Sequence, residues 1–263
     1  MRKYIYIFKS EIMSSFQYIK NIMINFLGYF IHFFIFFNLW NYIYSNPEEL
    51  INGYSKSQMI WYIVITEIIW SVVGGRKLCA LISEDIKSGN IAYNINKPYS
   101  YIGYRLFSHL GEGAIKFIIF TISGGIIGLV FLKEFPSLNI IQFLIVIVSM
   151  ILAISIESLI IILIGLFSFI IEDSSPVYWI YSKLVLILGV TFPIEFFPNL
   201  IQKFVRFSPM YVVSYGPARL FTSFDIKTAL NIFTAQMTYL FIVYVLCNFM
   251  YKKGVKKLNV NGG

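Results

Sequence analysis

Between positions 139 and 171 the chain carries a single charged side chain, Glu157, and otherwise only Asn139, Gln142 and a few serines interrupt the apolar residues. Water cannot host such a stretch as an exposed segment, and lipid can. As one helix it would be about 50 Å long at 1.5 Å per residue. Cut in two, each half would have roughly 16 residues, short of the roughly 20 that a bilayer needs. No proline or Asn-Gly pair divides it. The stretch reads as one long tilted helix that crosses the membrane and protrudes on the cytosolic side.

With one crossing fixed, five others follow from the remaining apolar runs. They cover about 22–44, 59–73, 114–132, 177–192 and 229–251. The second is short and is bounded by Gly74-Gly75. The chain is 58% hydrophobic and 13% charged over its 263 residues, about half the charge of a soluble domain. Aromatic residues make up 19%, as expected where rings populate both membrane interfaces. The fold class is therefore all-α: a polytopic membrane protein of six transmembrane helices and a single domain. The first run, starting near Ile22, is too long for a signal-peptide core and reads as a retained anchor.

Charge orients the layout. The net charge of +8 fits a positive-inside bias. No basic patch interleaved with exposed aromatics stands outside the spans, so a nucleic-acid partner is not expected. Residues 1–20 place Ile5, Phe8, Ile12, Phe16 and Ile19 at three- and four-residue steps beside Arg2, Lys3, Lys9 and Lys20. That pattern predicts an amphipathic interface helix in the cytosolic headgroup layer. Lys252, Lys253, Lys256 and Lys257 follow the last span. Six spans put both termini in the cytosol and leave the loops at 45–58, with Pro47 and Gly53, and 133–138 outside. The 172–176 turn, acidic yet inside, and the 198–228 segment, basic yet outside, run against the bias. Splitting the 139–171 helix would instead put the lysine-rich tail outside. Heavy use of Ile, Lys, Asn and Tyr is the composition of a bacterium with an AT-rich genome, so the expected location is a bacterial cytoplasmic membrane.

Residues 76–105 are the longest central stretch that lipid cannot hold. Arg76, Lys77, Lys87, Lys97 and Arg105 stand there against Glu84 and Asp85. Leu78, Leu81, Ile82 and Ile86 recur at helical spacing. Lys87 suits a last helical turn, where the dipole favours a cation. Gly89 supplies a left-handed stop, and Lys97-Pro98 discourages continuation. The expectation is a short amphipathic helix, a turn, then the approach to the third span. Two readings remain open: a solvated loop with a membrane-surface helix, or a helix that docks on a motor subunit.

Residues 193–222 are apolar but broken by Pro193, Pro198, Pro209 and Pro217. No piece is long enough to cross. One or two short re-entrant or interfacial helices fit, provided protein or a wet cavity satisfies their backbone. Arg206 and Arg219 there could meet lipid phosphates or an anionic substrate, ordinary headgroup contact being the default. Glu67 and Glu157 lie inside spans, where a carboxylate is expensive and faces protein or water; Glu195 lies beside a proline break. A hydrogen bond to a partner helix is the expected role of each, since neither span glutamate has a His, Lys or second acid at helical spacing. His32 and His109 read as packing or interface residues. Cys79 and Cys247 have no ligand-like neighbours, so no metal or disulfide is expected. Gly74-Gly75 and Gly124-Gly125 read as places of close helix contact. No GxxxxGK[ST] motif is present, so the chain has no ATP site of that type.

The arrangement resembles the permease subunit of type-2 ATP-binding-cassette exporters, in the branch of uncharacterised bacterial transport permeases. Two stretches carry the likeness. One runs Glu84-Asp85-Ile86-Lys87-Ser88-Gly89-Asn90-Ile91, followed by Asn96-Lys97-Pro98. The other runs from Phe192-Pro193 through Phe197-Pro198 and Ser208-Pro209 to Tyr215-Gly216-Pro217-Ala218. The resemblance implies a half-transporter with no cofactor of its own, ATP and Mg residing on a separate cytosolic ATPase subunit. A second permease, identical or a sister, would pair along spans one and five. The amino-terminal helix and a coupling helix bearing Leu78, Leu81, Ile82, Asp85, Ile86, Lys87 and Gly89 would meet the ATPase. The cargo classes implied are drugs, antimicrobial peptides, lipids and glycans; the aromatic, apolar interior favours a hydrophobic or amphipathic one. The competing reading is an ion-coupled secondary transporter using Glu67 and Glu157, although no internal repeat of the kind such proteins show is visible.

Overall fold

The computed structural model describes residues 2–261 except 18, 45, 47, 48 and 96. Pro47, Asn96 and the side chain of Lys257 lie outside the described set. Helices α1 (Arg2–Gln17) and α2 (Ile19–Ile43) open the chain. Then α3 (Lys56–Val73) begins at a capping box: Ser55 Oγ accepts the Gln58 N–H, and Gln58 Oε1 accepts the Ser55 N–H at 3.0 Å. Gly74 ends it at φ +48°, a left-handed position that suits glycine. Helix α4 (Arg76–Lys87) follows almost at once. A short α5 (Ile91–Ile95) leads to α6 (Tyr101–Leu132).

Helix α6 starts well before the expected third span. Residues 101–105 belong to it rather than to a loop. Ser100 caps it by accepting the Gly103 N–H. Gly103, Gly111 and Gly113, poor helix formers in isolation, serve contact instead. A Cβ on Gly111 would stand 2.6 Å from the Phe8 carbonyl oxygen of α1. So α1 lies tightly against the first half of α6, and Tyr4 stacks on Phe107 with centroids 5.2 Å apart. Phe8 and Ile12 are half-buried there, while Ile5 and Phe16 remain exposed.

The 139–171 stretch is one helix, α7 (Ile140–Leu166), prolonged by a 3-10 turn over Phe167–Phe169. Asn139 and Gln142 form its capping box, with Gln142 N–H to Asn139 Oδ1 at 2.8 Å. The two polar residues that dilute the apolar run are thus its start signal. The fifth crossing is α8 (Ser175–Val185), continued by a π-helical stretch over Leu186–Thr191. Last come α9 (Asn199–Arg206), a π turn over Tyr211–Tyr215, α10 (Gly216–Thr222) and the long α11 (Ile226–Asn261). The only β-type pairing among the described residues is an isolated bridge, Ile51 to Tyr54.

Among the described residues, five helices are long and apolar enough to cross a membrane, and the stretch Ser175–Thr191 is a shorter apolar sixth. They are not equivalent. In the most apolar window, 78% of the α3 segment and 67% of the α7 segment are buried, against 17–22% for α2, α6 and α11. Helices α3 and α7 are the axis, and the other three present faces to lipid. Trp61 of α3 packs on Gly128 of α6, where no Cβ would fit. Gly124 makes the same kind of contact with Tyr29 and Ile68, whereas Gly125 has nothing within 4 Å. Tyr251 of α11 stacks on Tyr101 at the start of α6, beside which α1 also lies. Both ends of the chain therefore gather at one end of the bundle.

Candidate coupling surface and intramembrane cleft

Helix α4 lies at that same end. Of its apolar stripe, Leu78, Ile82 and Ile86 are buried, and Leu81 is 36% exposed. The stripe faces the chain's own bundle. Ile82 sits against Gly165 of α7, where a Cβ would come within 2.8 Å of the Ile82 Cβ. Cys79 Sγ lies 3.4 Å from Ser174 Oγ, and Ser168 Oγ lies 2.8 Å from Ser83 Oγ and 3.0 Å from Ser174 Oγ. This polar knot joins α4 to the turn between α7 and α8. Asp85 pairs with Arg105 and accepts the Tyr101 hydroxyl at 2.5 Å, joining α4 to α6. Lys87 stands 3.8 Å from Asp173. The backbone N–H and hydroxyl of Ser175 hold the Asp173 carboxyl below its ordinary range. Gly89, at φ +73°, closes the helix.

The outward face of α4 is formed by Ala80, Leu81, Glu84 and Lys87, all exposed. Leu78, Ile82 and Ile86 are held inside, so a surface for another protein on α4 consists of the opposite, polar side with Leu81 at its edge. The stretch that follows is tied to α1: the Ser100 N–H donates to Tyr4 Oη at 3.0 Å, and Lys3 donates to the Pro98 carbonyl. Ser108 donates to Glu11 at 2.7 Å.

At the opposite end, residues 193–222 form short helical pieces. Pro193 and Pro198 cap the pieces they precede and Pro209 starts one, where the missing N–H costs no helical bond, whereas Pro217 follows the π turn inside an unbroken helical run from 209 to 222. The π turns expose carbonyls that side chains of neighbouring helices satisfy. Tyr62 donates to the Gly189 carbonyl at 2.8 Å and Thr66 to that of Val190 at 3.1 Å. Gln236 donates to the carbonyls of Val212 at 2.9 Å and Ser149 at 3.0 Å. Glu195 accepts the hydroxyls of Tyr54 at 3.0 Å and Tyr215 at 2.5 Å, pinning the 51–54 turn to this segment. Burial and the nearby Glu195 push the Tyr54 hydroxyl well above its ordinary range.

The two span glutamates have partners from other helices. Glu157 accepts the Tyr181 hydroxyl at 2.6 Å. Glu67 is fully buried, neither carboxylate oxygen is hydrogen-bonded among the described residues, and His32 Nδ1 stands 3.6 Å from Oε2. His32 is thus no mere packing residue, and Glu67 does have a histidine beside it. Spacing along one helix could not show this, because the pair bridges α2 and α3.

His32, half exposed, lines a cleft of about 1130 Å³ bounded by α1–α2, α3–α4 and α6. Its charged mouth, at the end where α4 begins, carries Arg76, Lys77, Arg105, Lys116, Glu11 and Glu112; Tyr29 and Trp70 line it alongside His32. Lys77 and Lys116 share Glu112, at 2.9 and 3.7 Å. Among the described residues no cluster of three His, Cys, Asp or Glu side chains forms a metal site.

Comparison with curated proteins gives no match. Residues 26–262 match the family model described as ABC-2 family transporter protein, which bears out the resemblance drawn from the loop and proline motifs. With its bundle of apolar helices and its proline-started segment before α11, the chain belongs to the ABC-2 transporter family, as an integral membrane permease component.

Proposed function

We propose that this permease forms the membrane half of an ATP-driven exporter and takes its force from a separate cytosolic ATPase through α4, ATP and Mg being bound by that partner. The observation that supports it most is the placement of α4. One face is locked to α6, α7 and the start of α8, and the other is exposed. A helix so held transmits displacement, since packed interfaces switch between arrangements rather than deform. Both chain ends gather at the same end, and the basic tail follows α11. On the positive-inside rule that end is cytosolic, in a bacterial cytoplasmic membrane. A second permease, identical or a sister, completes the pathway by pairing along α2 and α8. Both carry exposed apolar rows, including Leu27, Ile31 and Phe34 on α2 and Trp179, Ile180 and Leu184 on α8. The cargo is hydrophobic or amphipathic.

The test is a pull-down with the full-length chain, followed by reconstitution with the ATPase it captures. The pair of changes Leu81→Asp and Glu84→Arg lies on the exposed face and should abolish capture and cargo-stimulated ATP hydrolysis while leaving membrane insertion unchanged. Retention of the complex in that variant refutes the docking face. Transport by the permease alone on an ion gradient, without nucleotide, refutes the exporter reading and favours an ion-coupled carrier built on Glu67 and Glu157.

A further inference from the structure

We propose that the cleft between α2, α3–α4 and α6 binds a phosphate-bearing amphiphile, its head group held at the mouth by Arg76, Lys77 and Lys116 and its chain laid along α2. That the bound molecule is cargo rests on the exporter reading; the binding itself is a property of this chain alone.

Charge comes first. Arg76, Lys77 and Lys116 all line the mouth. Glu112 is the one carboxylate that the two lysines share, and Arg76 has no carboxylate within 4 Å among the described residues. Arg105 is paired with Asp85, and Glu11, which accepts from the neutral Ser108 hydroxyl, keeps its charge, so three cations face two carboxylates. The mouth therefore carries a surplus of positive charge.

Shape selects the rest of the ligand. Along α2 the lining runs from Asn21 to His32, about 16 Å at 1.5 Å per residue. That is close to one leaflet, half of a hydrocarbon core of roughly 30 Å. Ile22, Ile24 and Trp70 supply apolar wall. Tyr29 lines the same wall, with its hydroxyl buried against Gly124 of α6. A free phosphate would use the mouth and leave this depth unused. A cationic ligand fits poorly: it would meet a surplus of like charge at the mouth, and Glu67 is fully buried beside His32 and cannot reach it.

The experiment uses the full-length chain in phosphatidylcholine nanodiscs, titrated with dioctanoyl phosphatidic acid while Trp70 fluorescence is followed; Trp70→Phe confirms the origin of the signal. Saturable quenching is expected. Arg76→Ala and Lys116→Ala should each weaken it about tenfold, the loss of one charge-assisted hydrogen bond. Arg76 is exposed, so its variant should keep the parent melting temperature. Dioctanoyl phosphatidylcholine and dodecylamine should give no saturable change, and inorganic phosphate should bind at least about a hundredfold more weakly, since it buries no chain. Equal binding of inorganic phosphate would reduce the site to a free-anion site and overturn the proposal. So would binding of dodecylamine, or unchanged affinity in both variants. Loss of ATP-driven export with this binding intact would count against the exporter reading alone.

Discussion

The contact between Ile82 and Gly165 can be tested as a matched pair. Ile82 is fully buried, and a Cβ at position 165 would lie 2.8 Å from its Cβ and 3.0 Å from its Cγ2. Carbon atoms prefer about 3.5–4.0 Å, so Gly165→Val forces α4 outward by roughly 1 Å. Overpacking of this kind costs about 1–3 kcal/mol. Ile82→Ala alone opens a void and costs about 2–5 kcal/mol. The valine adds three carbons and the alanine removes three, but an alanine at position 82 keeps the Cβ that would stand 2.8 Å from a Cβ at 165. The double variant therefore refills the void and relieves only part of the overpacking, and it should cost less than the sum of the single changes. The coupling between the two changes should be favourable and at least about 0.5 kcal/mol. Thermal or denaturant unfolding in nanodiscs reads it. ATP-coupled transport should follow the same order, impaired in each single variant and regained in part in the double. Additive losses would show that α4 does not lean on α7 at this point and would remove the main link by which it moves the bundle.

Other outcomes follow from buried polar groups. Gln236→Leu strips donors from the carbonyls of Val212 and Ser149 and should destabilise the bundle by about 1–3 kcal/mol, seen as a lowered melting temperature; an unchanged one means that another group reaches those carbonyls. Tyr181→Phe leaves Glu157 without its donor, so the loss, again about 1–3 kcal/mol, should shrink when Glu157→Leu is added. Glu195→Ala should free the 51–54 turn from Tyr215 and raise protease cleavage in that turn; unaltered cleavage shows that the turn is held without it.

The spans were legible because lipid imposes a simple rule. Few charges over about 20 residues mark a crossing, and the π-helical end of the fifth and the early start of α6 changed boundaries rather than order. The start of α6 was hidden because Arg105, Ser108, His109 and Glu112 look like loop residues until α1 and the cleft are present to receive them. On α4 the period of the apolar stripe was plain in the sequence, but not its direction. Periodicity says that Leu78, Ile82 and Ile86 share a face; it does not say whether that face meets another protein or α7. The pairs His32–Glu67 and Tyr181–Glu157 were out of reach for a related reason. Each joins residues on different helices, and a pattern read along one helix holds no term for its neighbours.

What lies on the two sides of α4 argues for a division of labour within one short helix. A docking helix held only by lipid would tilt when pushed and pass little displacement on. Here Asp85 grips Arg105 and Tyr101 of α6, Ile82 grips Gly165 of α7, and Cys79 and Ser83 reach the serines that precede α8. Tyr101 in turn stacks on Tyr251 of α11. A push on α4 is thereby shared among four crossings. The same helix carries Arg76 and Lys77 to the mouth of the cleft, and its tie to α6 through Asp85 and Arg105 sets their distance from Lys116. Under the proposed coupling, a stroke that strains this tie also shifts the cations that hold an anionic head group. Release then needs no separate trigger. Substituting Arg105 by Lys, which keeps the charge but loses the forked contact with Asp85 and Tyr101, should leave head-group affinity near the parent value while lowering cargo released per ATP hydrolysed. Equal loss of both would mean that grip and release are not divided in this way.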